Sequence, residues 1–436
     1  MPADQSANCL VVGAGVVGVS TAYALARRGV TVDLVDREAG PGRGTSYANG
    51  AQLSYAYTDT LGSPSLLAKL PWLIAGLDPA IRLKPSFDPE FLAWVLRFLR
   101  ACSAKQHISG TLATLALAAE SRLALHALLE RHAIDFNHVV AGKMHLFFDA
   151  TALSAGRKMS ELKRRHGVSQ QVLSAAEARA IEPALTDAKG LMGAVYTPSD
   201  AVGDPHLFCR ALLNVLTTDY GVNTHFGFNI IDVTVSTDGV IVTGAGGNQI
   251  RGRSLVIASG PQATSLLRPL GIHMPIMPMK GYSITARPGT NAPHVSLTDT
   301  ARKIVFCRLG DRIRIAGGAE LGARDATVDP RRLQGLIQTA LASLPNAADL
   351  DQIETGWAGL RPMTPNSLPM VSQPRDNVFL NVGHGMLGWT LAMGTAERLS
   401  KMVLNARDAS APRHLTAPRL SHRPTKASPL VPTAGQ

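Results

Sequence analysis

The first forty residues constrain the fold more than any other stretch of this chain. "CLVVGAGVVGVSTAYALARRGVTVDLVDRE" opens on a short buried-strand run, Leu10 to Val12. Gly13, Gly15 and Gly18 follow in G-x-G-x-x-G spacing. A helical pattern then continues through Ala26 and stops at Gly29, and a second strand, "VTVDLVD", ends in Asp36. Strand, glycine turn, helix, strand and acid in this register predict a dinucleotide-binding unit. Gly13 permits the tight turn, Gly15 lets the backbone approach a pyrophosphate, and Gly18 lets helix pack closely on strand. The helix N-terminus, with Val12, Val16 and Val17 around it, turns its positive end to the phosphates. Asp36 lies eighteen residues beyond Gly18, placed to accept a hydrogen bond from a ribose hydroxyl, with Arg37 beside it. This spacing alone does not choose between NAD and FAD.

The next segment favours a longer ligand. "GRGTSYANGAQLSYAY" is small, polar and glycine-rich directly after the second strand. Thr45, Ser46, Asn49, Gly50 and Gln52 are placed to follow a cofactor from its ribose toward its reactive end; a plain surface loop is the alternative. Further on, "VNTHFGFNIIDVTVSTDGVIVTGAGGNQIRGRSLVIASGP" reads as a strand meander. It carries Ile231 and ends in a buried strand with a small-residue turn. That pattern brings Ala258 and Gly260 back beside the nucleotide.

A second strand, glycine loop and helix occur near the end, in "NVFLNVGHGMLGWTLAMGTAERLSKMV". Gly383, Gly385 and Gly388, with Met386 and Leu387 between them, give close backbone approach at a helix N-terminus. Its free N–H groups form an anion site. One dinucleotide needs only one such site for its pyrophosphate. The second suits the negative charge of a reduced flavin at its N1–C2=O edge, which a helix dipole favours and which raises the reduction potential.

The 436 residues allow two or three domains, and 45% hydrophobic with 17% charged residues fits a soluble globular chain. No run of eighteen apolar residues occurs, so no membrane-crossing helix is expected, and the N-terminus does not read as a signal peptide. Cys9, Cys102, Cys209 and Cys307 are scattered, which argues against a disulfide framework or a metal site. The net charge of +11 admits nucleic acid, an anionic membrane or simple solubility. No nucleic-acid-binding module is present, which leaves an anionic cofactor and a membrane surface as the favoured partners.

Residues 58–184 read as mostly helical, with "DPEFLAWVLRFLRAC" capped by Asp88 and "GKMHLFFD" alternating as a strand. Asp204 and Pro205 start another helix. "MPIMPMKGYSITARP", "KIVFCRLG" and "DRIRIAGGAE" are expected to form an antiparallel sheet, and "GLRPMTPNSLPMVSQ" a proline-rich loop. The fold class is therefore α/β: a Rossmann-like dinucleotide domain with a mainly antiparallel, α+β second domain. The expected boundaries are 9–57, 185–262 and 353–407 for a discontinuous FAD-binding domain, 58–184 and 263–352 for a substrate domain, and 408–436 for a disordered tail.

Taken together, "VVGAGVVGVSTAYAL", "TSYANGAQLSYAY", "GDPHLF", "PMKGYSIT", "DRIRIAGGAE", "GLRPMTP" and "NVGHGMLGWTLAMG" span most of the chain. They resemble the D-amino-acid dehydrogenase small-subunit family, within the wider D-amino-acid oxidase and glycine oxidase superfamily. The resemblance implies FAD and oxidation of a D-amino acid to an imino acid, then to a 2-oxo acid and ammonia. It also implies hydride transfer to flavin N5 and delivery of electrons to a respiratory quinone. Arg361 matches the arginine that anchors the substrate carboxylate in related oxidases, a task that suits a bidentate guanidinium. Arg308, Arg312 and Arg314 are weaker candidates. Tyr282 and His384 are further candidates at the reaction centre, and Lys280, Tyr55 and Tyr57 for the pocket wall. Residues 65–102 mix Trp72 and Trp94 with Lys69, Arg82, Lys84, Arg97 and Arg100, as an interfacial segment does. Core-facing helices with basic outer faces are the alternative. The expected location is cytoplasmic, peripheral on the inner membrane. D-Hydroxyproline, sarcosine and other secondary amines remain alternative substrates.

Overall fold

The computed structural model describes residues 8–410 except 77, 79 and 85. Among these, two main sheets meet at one large cavity. The smaller sheet runs in the order Met370–Arg375, Val378–Val382, Ser254–Ile257, Cys9–Val12, Val32–Val35, Asn223–His225. Its neighbours are parallel except for the first pair. The sequences CLVV, VDLV, SLVI and VFLNV are buried at every residue, as parallel strands covered on both faces must be. The first helix, Val16–Ala26, is buried along most of its length between this sheet and the helices Pro205–Asp219 and Gly388–Ser410. Cys9–Val12 sits between strands from both sides of the chain's path, and ligands bind in the crevice at the carboxyl ends of such strands.

The larger sheet is mainly antiparallel and holds Met277–Pro288 between Arg312–Leu321 and Ala348–Met363. One face packs on the helix Pro330–Ser343 and forms a second core; the other faces the cavity. The strand Lys143–Phe147 shows the division. Met144 and Leu146 enter the second core, whereas Lys143, His145 and Phe147 line the cavity.

Several sequence expectations are corrected by pairing. Gly193–Thr197 and Ala348–Met363, expected partly or wholly in the nucleotide domain, belong to the larger sheet. A strand's apolar pattern does not reveal its partner. The proline-rich loop is shorter than expected: Gly359 to Met363 complete the long strand, and Met370–Arg375 is an edge strand that tolerates Pro374. Residues 411–436, most of the expected tail, lie outside the described residues. The helix Ala104–Arg131 has 28 residues and a mean hydropathy of 1.4 over its most apolar window, long and apolar enough to cross a membrane. It packs instead along the last helix, where Gly394 admits the Leu117 carbonyl and the Ser121 backbone.

Candidate functional site

The cofactor end of the cavity is built by the first glycine turn. Gly13 has φ of 106°, and a Cβ there would lie 2.6 Å from the Ala258 carbonyl oxygen. A Cβ on Gly18 would lie 1.6 Å from the Gly13 oxygen, so Gly18 serves packing and does not line the cavity. The N-cap of the first helix, Gly15, has no side chain, and the Val16 N–H donates to Ser46 Oγ at 3.1 Å. Free amides at this terminus make an anion cradle.

Asp36 stands at the end of the second strand. Its Oδ2 accepts from the Ala14 N–H at 2.5 Å and its Oδ1 from the Glu38 N–H at 2.8 Å. Burial raises its pKa, opposed by these two bonds. Each oxygen keeps a lone pair for a ribose hydroxyl. Val12, Val16, Val17 and Arg37 line the same wall.

Thr45, Ser46, Asn49, Gly50 and Gln52 all line the cavity, as expected. Their loop is fastened to the larger sheet at several points. Thr45 Oγ1 donates to the Leu360 carbonyl at 2.7 Å, Ser283 Oγ to the Ala48 carbonyl at 2.5 Å, and Arg314 Nη1 to the Asn49 carbonyl at 3.0 Å. Arg314, a weak candidate for substrate binding, is thereby a positioning residue. Its Nε also donates to Thr285 Oγ1 at 2.7 Å, and its Nη2 lies 3.7 Å from Asp204. Asp204 caps the next helix, accepting from the N–H groups of His206 and Leu207. Cofactor loop, larger sheet and helix start are thus tied through one guanidinium.

Ala258 and Gly260 line the cavity, as do Gly385, Met386, Leu387 and Gly388 at the second helix N-terminus. Gly383 does not line it; a Cβ there would meet Thr364. Ile231 is a correction. A register shift between Ile230 and Asp232 turns it outward, 63% exposed, and Asn229 and Ile230 line the cavity in its place.

At the other end stands Arg361. Its Nη1 donates to the Gly318 carbonyl at 3.2 Å, and its guanidinium lies over Gly281, where a Cβ would come within 2.3 Å of Nη2. Burial lowers its pKa to about 10, which leaves it charged at neutral pH. Among the described residues, no carboxylate lies within 4.0 Å of it. A cation set deep in a cavity without a counter-ion calls for an anion from the ligand.

The expected grouping of Tyr282 with Arg361 is corrected by strand alternation. Arg361 shares the cavity face with Gly281, and Tyr282 points the other way. Its ring borders the cavity but packs in the second core, with its hydroxyl 3.4 Å from Glu320 Oε1. Lys280 is likewise turned from the cavity and pairs with Asp325 at 3.2 Å. His384 is buried and its Nε2 lies 3.0 Å from Thr395 Oγ1. That hydroxyl donates to the Ala392 carbonyl, so Nε2 is the donor and is already engaged. Burial depresses the His384 pKa to about 3, so the ring is neutral. Tyr55 is a core residue, while Tyr57 lines the cavity.

Sequence reasoning missed a polar cluster around Tyr57. Lys143 Nζ donates to Gln52 Oε1 at 2.9 Å and Ser54 Oγ at 2.6 Å, 4.7 Å from the Tyr57 ring centroid. Lys163 Nζ pairs with Asp59 at 2.6 Å, and the His145 ring lies tilted against Tyr57 with centroids 4.2 Å apart. Burial lowers the Lys143 pKa to about 8 and raises that of Asp200 to about 6. The available signal was the alternation of "KMHLF", which puts a lysine and a histidine on one face of a strand.

The cavity spans about 2060 Å³, beyond the several hundred Å³ that suffice for one small ligand. A dinucleotide cradle, a ribose-binding acid and a second helix N-terminus around such a space fit FAD together with a substrate. Comparison with known proteins gives the class. Residues 8–402 match the family described as FAD dependent oxidoreductase (DAO), and the chain belongs to it. It is 41% identical over 405 residues to "D-amino acid dehydrogenase 2" of Ralstonia nicotianae, covering 90% of this chain and 95% of that one. It is 39% identical over 399 residues to "D-amino acid dehydrogenase" of Paramagnetospirillum magneticum, covering 90% and 94%. The fold also matches glycine oxidase from Bacillus cereus, with a TM-score of 0.69 at 19% identity, covering 92% and 95%.

Proposed function

We propose that this FAD-dependent enzyme oxidises D-amino acids to imino acids, which hydrolyse to 2-oxo acids and ammonia, and that a membrane quinone takes the electrons. The observation that carries the reading is Arg361, a cavity cation without a carboxylate partner among the described residues, two strands from the cofactor loop's anchor on Arg312–Leu321. Bound FAD supplies the acceptor for the electron pair lost from the substrate's Cα–N unit. The protein's share is positioning. Arg361 takes the α-carboxylate, the tied loop Thr45 to Gln52 fixes the cofactor's reactive end, and the Gly385 to Gly388 amides favour an anionic reduced state. The sequence relatives support the D-amino acid assignment.

The acceptor reading rests on the outer surface of residues 64–101. Trp72, Ile74 and Phe87 are 64%, 69% and 98% exposed, beside exposed Arg82, Lys84, Arg97 and Arg100. Such a surface suits the interface of an anionic bilayer, which supports reading the enzyme as peripheral on the cytoplasmic face of the inner membrane. Trp94 takes no part: it is buried, stacks on Phe98, and donates from Nε1 to the Met363 carbonyl at 3.0 Å. The test is turnover with D-alanine and a ubiquinone embedded in anionic vesicles. The expected result is one pyruvate per quinone reduced and none from L-alanine. Turnover that is independent of quinone would remove the acceptor assignment, and turnover only with cis-4-hydroxy-D-proline would move the substrate to the secondary amines.

A further inference from the structure

The sheet around Arg361 leaves one flank for a substrate's side chain. The guanidinium lies over Gly281 and donates to the Gly318 carbonyl. Two residues along from Gly281, Ser283 donates to the Ala48 carbonyl, and Gly50 packs on Val305 and on Ala316, the ladder partner of Ser283. The cofactor loop therefore roofs that flank. On the neighbouring strand the Trp357 indole lies over Gly359, the ladder partner of Gly281, where a Cβ would meet the ring at 2.1 Å. That space is filled. The opposite direction along the strand, toward Met279, borders the cavity.

This remaining flank is apolar. Met279 stands opposite Arg361 on one side and opposite Leu321 on the other. Ala319 directly follows Gly318 and pairs with Ile81. All four line the cavity, and Leu61 and Phe98 face it from the covering loop and helix, only partly buried. The charged residues of these strands, Lys280 and Glu320, alternate onto the other face and pair with Asp325 and Arg332. Met279 lies two residues from Gly281, roughly 7 Å. A leucine- or phenylalanine-sized side chain covers that span from an α-carboxylate bonded to Arg361. Apolar walls gain by burial against an apolar group and offer a charged one no partner for the water it loses.

We infer that Met279, Ala319, Leu321 and Ile81 form the side-chain subsite, and that it selects bulky apolar D-amino acids, D-leucine and D-phenylalanine above D-alanine, over D-glutamate and D-lysine. The inference rests on the D-amino-acid reading above. Ala319 sets the size of the subsite. It is the smallest of the four side chains and stands next to the carbonyl that holds Arg361. The unpaired cost of a charge in this wall supplies the discrimination against D-glutamate and D-lysine.

The test compares anaerobic flavin reduction by D-leucine, D-phenylalanine, D-alanine, D-glutamate and D-lysine, using the FAD-loaded full chain. The expected second-order rate for D-leucine exceeds that for D-alanine by about tenfold or more, and those for D-glutamate and D-lysine by at least as much. Ala319→Leu fills the subsite, and the D-leucine to D-alanine ratio falls by about tenfold. Ile81→Ala, on the three-residue strand Ile81–Leu83, widens it, and the D-phenylalanine to D-leucine ratio rises about threefold. Each ratio is taken within one protein sample, so a loss of folded enzyme does not produce it. Reduction by D-glutamate or D-lysine as fast as by D-leucine overturns the subsite and leaves the D-amino-acid reading intact. Unchanged ratios in both variants overturn it as well, and a slower reoxidation of their flavin by ubiquinone would then give the flank to the electron acceptor. No reduction by any of the five overturns the reading beneath it.

Discussion

Gly281→Ala should disable the enzyme without touching a reacting group. The added methyl would sit 2.3 Å from Arg361 Nη2, 2.5 Å from Cζ and 2.7 Å from Nη1. Real carbon–nitrogen contacts begin near ~3.5 Å, so the guanidinium must move by on the order of 1 Å. It cannot move far and keep its bond to the Gly318 carbonyl. On the role proposed for Arg361, the displaced group would no longer meet the α-carboxylate in bidentate register. A charge-assisted bond to a buried carboxylate contributes about 1.5 to 3 kcal/mol, which is a loss of roughly 10- to 150-fold in kcat/KM. The assay is steady-state turnover of D-alanine by Gly281→Ala, Arg361→Met and the double variant, with FAD content checked by absorbance. If Gly281 acts only by making room for Arg361, the double variant is no worse than Arg361→Met alone. Additive losses would refute the reasoning, as would wild-type kcat/KM in Gly281→Ala.

Other perturbations separate cofactor binding, loop anchoring and proton linkage. Asp36→Ala should weaken FAD binding by about 10- to 100-fold, measured by flavin fluorescence on reconstituting the apoprotein, because a ribose contact and the acceptor for Ala14 N–H are lost together. Arg314→Met leaves the Asn49 carbonyl unpaired and should cost about 2 to 4 kcal/mol in thermal unfolding while also loosening FAD; an unchanged Tm would show that the loop is held by other means. His384 titrates near its ordinary 6.5 when unfolded and near about 3 when folded. The unfolded chain therefore binds the extra proton in this window, and stability is lost as pH falls from 6.5 toward 3, by on the order of 4 kcal/mol. His384→Gln keeps a donor for Thr395 and does not titrate, so its acid-unfolding limb should be shallower than that of the wild type.

The cofactor half of the site was legible because it depends on local pattern. Gly13, Gly15 and Asp36 act within one strand–turn–helix–strand unit, and their spacing is their geometry. The second glycine loop was legible for the same reason. The substrate half depends on which strands pair. Arg361 was found through resemblance, but its cradle on Gly281 requires knowing that Met279 and Arg361 lie side by side. Tyr282 follows "KG" in the sequence like a pocket residue; its ring does border the cavity, but alternation from Gly281 sends its hydroxyl to Glu320 and away from Arg361. Ile231 missed by one position because a register shift is invisible in an alternating apolar run. The chamber around Tyr57 draws Lys143 and His145 from one strand, Lys163 from a helix and Asp59 from a loop. No local pattern joins those four residues; tertiary packing does, through the Lys163–Asp59 ion pair and the approach of Lys143, Lys163 and His145 to the Tyr57 ring.

The central claim is that Arg361 and the bound cofactor cooperate on a D-amino acid. It is tested most directly by following the flavin absorbance of the purified protein during anaerobic titration with single amino acids. The account predicts bleaching of the oxidised band by D-amino acids and none by their L enantiomers, with the effect greatly slowed in Arg361→Met. A protein that holds flavin and is bleached by no D-amino acid, or is bleached equally by both enantiomers, would contradict it.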